Sequence, residues 1–120
     1  MKKVLIVEDN LDIAQLIKDV LTKEGYAAVI CQDGYQGVEF AHREKPDLIL
    51  LDLMMPAGGG FYVLEKIKLS AHTKKIPVVV LTASKDGAHK DKAEGMGIQA
   101  YLEKPYDGEK LVEVIRGIIG

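Results

Sequence analysis

Four short stretches of the chain carry the residues whose types could do chemistry. Glu8-Asp9 follows the apolar run Val4-Leu5-Ile6-Val7, and Asp52 closes the run Leu48-Ile49-Leu50-Leu51. Thr82-Ala83-Ser84 follows Val78-Val79-Val80-Leu81, and Lys104-Pro105 comes soon after the weaker run Ala100 to Leu102. If these runs are neighbouring parallel strands, three carboxylates, a hydroxyl and an ammonium converge on one sheet edge, where such sheets gather ligands. Two unit charges ~5 Å apart repel by roughly 3 kcal/mol at an effective dielectric of about 20. Gathered acids therefore need a cation among them, or some must keep their protons. A hard divalent cation with oxygen ligands fits. Mg²⁺ is favoured, because it is usually held by one or two carboxylates together with waters and phosphate oxygens.

Taken singly, each residue has a plainer reading. Glu8 and Asp9 suit the acidic start of a helix, favoured by its dipole. Lys104 reads as a solvated lysine, and Asp52 as a turn residue ending a strand. An acid directly closing four apolar residues is less ordinary, since its burial is costly without a partner. The aligned set, rather than any one member, points to a site.

The elements that must position the set are legible in the hydrophobic pattern. The three strong runs are four residues long without alternation, as strands buried on both faces of a parallel sheet are. Ala27 to Cys31 and Ala100 to Leu102 fit as two further strands. Between them, Ile13, Leu16, Ile17, Val20 and Leu21 recur at helical spacing, with Asn10 to cap that helix and Gly25 to close it. Val38 and Ala41 mark a second helix, and Val63, Leu64 and Ile67 a third. Leu111, Val114, Ile115 and Ile118 mark a last one, with Asp107 as its N-cap. The segment from Lys85 to Met96 is the weakest helix. It holds Gly87 and Gly95, each costing about 1 kcal/mol against Ala, and its apolar positions are only Ala88, Ala93 and Met96. Five strands alternating with five helices predict an α/β fold with a parallel sheet and right-handed crossovers.

Composition narrows the function classes. A chain of 120 residues predicts one domain, and its 48% apolar and 28% charged residues are ordinary for a globular one. The net charge is −2, and Arg43 and Arg116 are the only arginines among sixteen basic residues, which argues against nucleic-acid binding. The single Cys31 excludes an internal disulfide and a cysteine-rich zinc site, and reads as a small packed hydrophobe. No apolar run approaches the ~20 residues of a membrane span. Met1-Lys2-Lys3 resembles the charged end of a signal peptide, but Glu8 and Asp9 interrupt the apolar stretch after four residues. The expected setting is the cytoplasm. His42, His72 and His89 have no ligand spacing and read as surface or capping residues, and Lys66, Lys68, Lys74 and Lys75 as a solvated basic face. Phe61 and Tyr106 read as packing residues.

Four blocks, in order and at the ends of the predicted strands, carry a resemblance. They are Val7-Glu8-Asp9-Asn10, the stretch from Pro46 through Asp52 to Pro56, Leu81-Thr82-Ala83, and Lys104-Pro105. Together they resemble the receiver domain of bacterial and archaeal two-component response regulators, over essentially the whole of 1–120 and with no output domain after it. The resemblance implies a flavodoxin-like sheet in the order 2-1-3-4-5 with helices on both faces. It implies that Asp52 is the phosphoacceptor and that Asp9 and Asp52 coordinate Mg²⁺, with Glu8 acting through water and the backbone carbonyl of Met54 completing the set. Thr82 is then the switch hydroxyl, Lys104 the fixed cation, and Tyr101 the switch aromatic, whose plainer reading is a half-buried strand residue. Pro105 would follow a cis peptide bond. The implied donor is a sensor histidine kinase or a histidine phosphotransfer protein. The implied output is a protein target on the face built from the fourth helix, fifth strand and fifth helix, with the chain a monomer or a phosphorylation-dependent dimer.

Two departures from the family pattern stand out. Gly59 replaces the usual acid or amide in Pro56-Ala57-Gly58-Gly59-Gly60, so this loop is expected to be loose. Met54 lies two residues beyond Asp52 and Ser84 two beyond Thr82, positions that in the family influence how water reaches the phosphate. An apolar Met54 cannot orient water, which predicts slow self-dephosphorylation. Other functions remain open. A Mg²⁺-dependent phosphohydrolase with an aspartyl nucleophile shares the acidic pair, Thr and Lys, but usually has a second Asp where Met54 stands. A flavin-mononucleotide module needs a hydroxyl- and amide-rich loop after the first strand, where Glu8-Asp9-Asn10 would repel phosphate. A degenerate receiver that binds partners without phosphorylation would not need the intact set.

Overall fold

A computed structural model describes residues 1–55 and 59–120. Strands β1 (Lys3–Val7), β2 (Ala27–Cys31), β3 (Leu48–Asp52), β4 (Val78–Thr82) and β5 (Ala100–Glu103) alternate with helices α1 (Leu11–Lys23), α2 (Gly34–Glu44), α3 (Gly60–Leu69), α4 (Gly87–Gly95) and α5 (Gly108–Ile119). The sheet is parallel throughout, in the order β2-β1-β3-β4-β5. The three unalternating runs are buried along their whole length, as expected of central strands covered on both faces.

Alternate strand residues feed two cores. Leu5, Val7, Ile49, Leu51, Val78 and Val80 pack under α2, α3 and α4. Val4, Ile6, Leu48, Leu50, Val79 and Leu81 pack under α1 and α5. Side-chain caps start four helices. Asn10 accepts from the Ile13 N–H at 3.1 Å, Asp33 from Gln36 at 2.8 Å, Asp86 from Ala88 at 2.9 Å and Asp107 from Lys110 at 2.7 Å. Gly25, at φ +91°, turns the chain out of α1 in the left-handed region that glycine tolerates.

Two expectations, on α1 and α4, need correction. Leu16 belongs to the helical pattern of α1 but is 66% exposed, because the buried stripe is Ala14, Ile17 and Leu21. Leu16 instead rims a groove of about 280 Å³ with Ile13, Ile17, Val20, Tyr106, Gly108 and Leu111. In α4, Ala88 is exposed and Ala93 is the buried residue, with Met96 packed partly against the first core. That helix also starts at Gly87, since Asp86 caps it from outside. The loop expected to be loose lies partly, at 56–58, outside the described residues. Gly60 within it has another reason to be glycine. A Cβ there would clash with the Leu53 Cα and stand 2.7 Å from the Asp52 carbonyl oxygen. The start of α3, which has no side-chain cap, thus lies directly on the backbone that carries Asp52.

Candidate functional site

The strand registers bring the candidate residues to one edge. Val7 pairs with Leu51, so Glu8, just past the end of β1, stands level with Asp52, the last residue of β3. Asp52 pairs with Leu81, which sets Thr82 one step further along β4. Thr82 pairs with Glu103, and the Lys104 N–H donates to the Thr82 carbonyl at 2.8 Å. The four strand ends therefore deliver Glu8, Asp9, Asp52, Thr82 and Lys104 within a few residues of one another. The fifth, β2, contributes none of them.

Glu8 and Asp52 are buried, at 3% and 7% exposure, while Asp9 faces solvent. One carboxylate oxygen from each of the three lies within 4.8 Å of the others. Against these acids stands Lys104, whose Nζ is 3.3 Å from Glu8 Oε1 and 3.8 Å from Asp52 Oδ2. Backbone donors supply the rest. The Asn10 N–H reaches Glu8 Oε2 at 3.2 Å, and the Met54 N–H reaches Asp52 Oδ1 at 3.0 Å. Burial pushes the Glu8 carboxyl up to about 7, and the Asp52 charge adds to the rise. The Asn10 N–H and the Lys104 ammonium pull the other way without cancelling it.

With every acid ionised, the four side chains carry a formal charge of −2, three carboxylates against one ammonium. Two buried acids, one of them the raised Glu8, and an exposed third form a set of hard oxygen donors short of positive charge. That set fits a divalent cation of the Mg²⁺ kind, which Glu8, Asp9 and Asp52 would hold.

Thr82 is fully buried, and its Oγ1 accepts from the Ser84 N–H at 3.1 Å. Tyr101, in the middle of β5, is half-buried. Its hydroxyl lies inside the protein without a hydrogen-bond partner among the described residues, and burial raises it above the ordinary tyrosine range. Cys31 is buried as expected, and burial pushes its thiol up to about 12. The Lys104-Pro105 peptide bond is cis, as the resemblance implies. The Met54 side chain is 53% exposed at the rim, and its described polar contact is made by its N–H.

Sequence reasoning missed three contributors. Lys85 donates to the Lys104 carbonyl at 2.8 Å and to Glu103 Oε2 at 3.3 Å, tying the loop after β4 to the loop after β5. His89, set aside as a surface residue, has Nδ1 2.8 Å from the Ser84 hydroxyl. Tyr106, read as packing, has a phenol pushed up to about 12 by burial and then by the charges of Glu8 and Asp52, so it belongs to the surroundings of the acidic cluster. The spacing of none of them signals its role, since each acts across a loop. His42 lies away from this edge, bonded to the Val38 carbonyl within α2 and to the Ser70 hydroxyl after α3.

Comparisons with known proteins agree with this geometry. The model of the family described as response regulator receiver domain matches residues 4–116. Protein PilH of Pseudomonas aeruginosa is 32% identical over 119 residues, covering 99% of this chain and 98% of that protein. The probable transcriptional regulator ycf29 of Pyropia yezoensis is 34% identical, covering 98% of this chain and 53% of that protein. The chain spans about half the length of several such curated relatives. Among solved structures, the chemotaxis protein CheY4 of Vibrio cholerae superposes with a TM-score of 0.91 at 27% identity, over 98% of each chain. The receiver domain of the sensor histidine kinase PA1611 of Pseudomonas aeruginosa PAO1 superposes with a TM-score of 0.90 at 28% identity, over 99% of this chain and 98% of that one. That structure has a magnesium ion coordinated in its active-site cleft.

Proposed function

The chain belongs to the response regulator receiver domain family, the phosphoacceptor signalling domains of two-component systems, and on that premise we propose that Asp52 is its phosphoacceptor. A carboxylate oxygen of Asp52 forms a bond to the phosphorus of a phosphohistidine on a partner. The phosphorus–nitrogen bond breaks, and the nitrogen keeps its electron pair. The product is an acyl phosphate, and the partner histidine returns to its free form. The observation that carries this reading is the set of three carboxylates within 4.8 Å that shares one lysine.

Phosphoryl transfer of this kind depends on positioning and on neutralising charge, because its transition state is loose. Asp9 and Asp52 are the residues that would hold Mg²⁺ directly, with Glu8 acting through water and the Met54 carbonyl completing the protein ligands. Bound there, the ion supplies the positive charge that offsets repulsion between an anionic nucleophile and an anionic phosphoryl group. Lys104 adds a fixed cation on the same side. The Thr82 hydroxyl then takes up a phosphoryl oxygen, and Tyr101 responds by reordering the face of α4, β5 and α5, where a downstream protein binds. The partners are a sensor histidine kinase or a histidine phosphotransfer protein, in the cytoplasm, with neither nucleic acid nor membrane engaged. Residues 1–120 act as one receiver unit, monomeric or dimerising on phosphorylation.

A turnover enzyme would want a proton donor two residues past the nucleophile, and Met54 cannot be one. The test is intact mass after incubation with Mg²⁺ and a small phosphodonor. Wild type should gain one phosphoryl group and Asp52→Asn none. Equal labelling of the two proteins overturns the assignment.

A further inference from the structure

The loop between β4 and α4 holds a chain of hydrogen bonds that leads away from the reacting edge. The Ser84 N–H donates to Thr82 Oγ1 at 3.1 Å, so Ser84 is fixed beside the switch hydroxyl. The Ser84 hydroxyl lies 2.8 Å from His89 Nδ1, and its oxygen also accepts the Asp86 N–H at 3.2 Å. Asp86 Oδ2 stands 4.0 Å from His89 Nε2, which favours the ring proton on that nitrogen and leaves Nδ1 as an acceptor. The Ser84 O–H is then the donor. The far side of the imidazole is held as well. It meets the Phe61 ring of α3 edge to face at 5.8 Å between centroids, and the Lys92 ammonium lies 4.3 Å over the same Phe61 ring. His89 is thereby seated between α3 and the loop, with its side chain 35% exposed.

We propose that His89 is a positioning residue for the lifetime of the phosphorylated state, acting by holding the Ser84 hydroxyl away from the phosphoryl site. The inference rests on Asp52 being the phosphoacceptor. In hydrolysis of the acyl phosphate, a water oxygen bonds to phosphorus and the bond from phosphorus to the Asp52 oxygen breaks. Free carboxylate and inorganic phosphate result, and the water's proton goes to solvent. A hydroxyl beside Thr82 holds that water well only when it can turn toward it, as donor or as acceptor. With its hydrogen committed to His89 Nδ1 and one lone pair to the Asp86 N–H, the Ser84 hydroxyl is not free to turn, and the phosphorylated form persists. The structure thus pairs two residues that each restrain water, the apolar Met54 at one rim and the tethered Ser84 at the other.

The experiment follows loss of the phosphoryl group from Asp52 by intact mass after the phosphodonor is removed. It compares wild type, His89→Phe, His89→Asn, Ser84→Ala and the Ser84→Ala/His89→Phe double variant. Phe keeps the ring against Phe61 but lacks the acceptor, and Asn returns an acceptor near the Nδ1 position. His89→Phe should speed decay about three- to tenfold, the range that one neutral hydrogen bond contributes. His89→Asn should restore most of the wild-type lifetime, and His89→Phe should have no effect once Ser84 is Ala. Equal acceleration in both backgrounds would show that His89 acts by packing alone and overturn the inference. So would a wild-type lifetime in His89→Phe, which leaves the assignment of Asp52 standing. If the wild type takes up no phosphoryl group at all, the phosphoacceptor reading fails instead. The hydrogen bond is still tested in the unphosphorylated protein by the ¹⁵N shifts of the imidazole. They should show Nε2–H with Nδ1 accepting, and a change at Nδ1 in Ser84→Ala. A ring protonated at Nδ1 and indifferent to Ser84→Ala overturns the inference without reference to phosphorylation.

Discussion

The two edges of the sheet use the same side chains to opposite ends. At the amino-terminal edge, Asp47 accepts the Lys3 N–H at 2.7 Å, and the Lys3 ammonium lies 3.1 Å from Glu44. Arg43 adds a second cation to Glu44 at 3.4 Å. The hydrogen bond and charge of Lys3 hold the partly exposed Glu44 carboxyl below its usual range. At the carboxyl-terminal edge, Glu8 and Asp52 are buried, one lysine serves both, and Glu8 is pushed upward. One edge satisfies its charges and closes the fold. The other keeps an electrostatic deficit that a divalent ion can relieve.

Breaking the cation at each edge should separate them most widely. Lys104→Ala should slow phosphorylation of Asp52 on the order of a hundredfold, the scale of losing one preorganised charge at a transition state. Lys3→Ala should leave that rate within about twofold, since a partly exposed pair contributes little. Single-turnover mass spectrometry checks both, and similar rates for the two variants would erase the distinction.

The next effect is mechanical. Gly60→Ala forces a methyl group against Leu53 and the Asp52 carbonyl, and should cost about 2 kcal/mol of stability. Gly117→Ala, where nothing lies within 4 Å of the new Cβ, should cost nothing and even stabilise slightly. Urea denaturation of the pair measures the difference.

The pH dependence should carry opposite signs at the two edges. The Glu8 carboxyl sits at about 7 in the folded protein against 4.5 ordinarily, so between these values the folded chain binds a proton that the unfolded chain has lost. Stability should therefore fall as pH rises from about 4.5 to 7, by roughly 3 kcal/mol. Glu44 is lowered on folding, so its contribution is present above its ordinary value and fades as the medium is acidified through the folded one. Urea midpoints should show the first slope in wild type and its loss in Glu8→Gln. An identical profile in that variant would remove Glu8 as the cause. Saturating Mg²⁺ should flatten the slope as well, because an ion bound by ionised carboxylates competes with the proton.

The smallest effect concerns the rim. Met54→Asn gives water an amide to bind and should shorten the lifetime of phospho-Asp52 about fivefold, roughly the value of one hydrogen bond. A lifetime no shorter than wild type's would rule out Met54 as the protecting residue.

Much of this was readable beforehand where the signal was local. Asn10, Asp107 and Gly25 mark helix ends because a cap depends on residues three or four apart. The strand runs declared themselves by lacking alternation, and the acids by standing directly after them. Other assignments failed where helical spacing is blind to which arc of the helix faces the core. Leu16 and Ala88 fit the apolar pattern and are exposed all the same. Gly60 looked like freedom and is a close approach.

Sequence alone determined the periodicities, the caps and the residue types at each strand end, because these depend on neighbours along the chain. Only the tertiary structure decided that Lys104 reaches across ninety-six positions to Glu8, that Lys85 braces the Lys104 carbonyl, and that His89 takes the Ser84 hydroxyl. Those pairings follow from parallel register and from which helix covers which face. Both emerge from packing the whole sheet, so no single stretch of sequence encodes them.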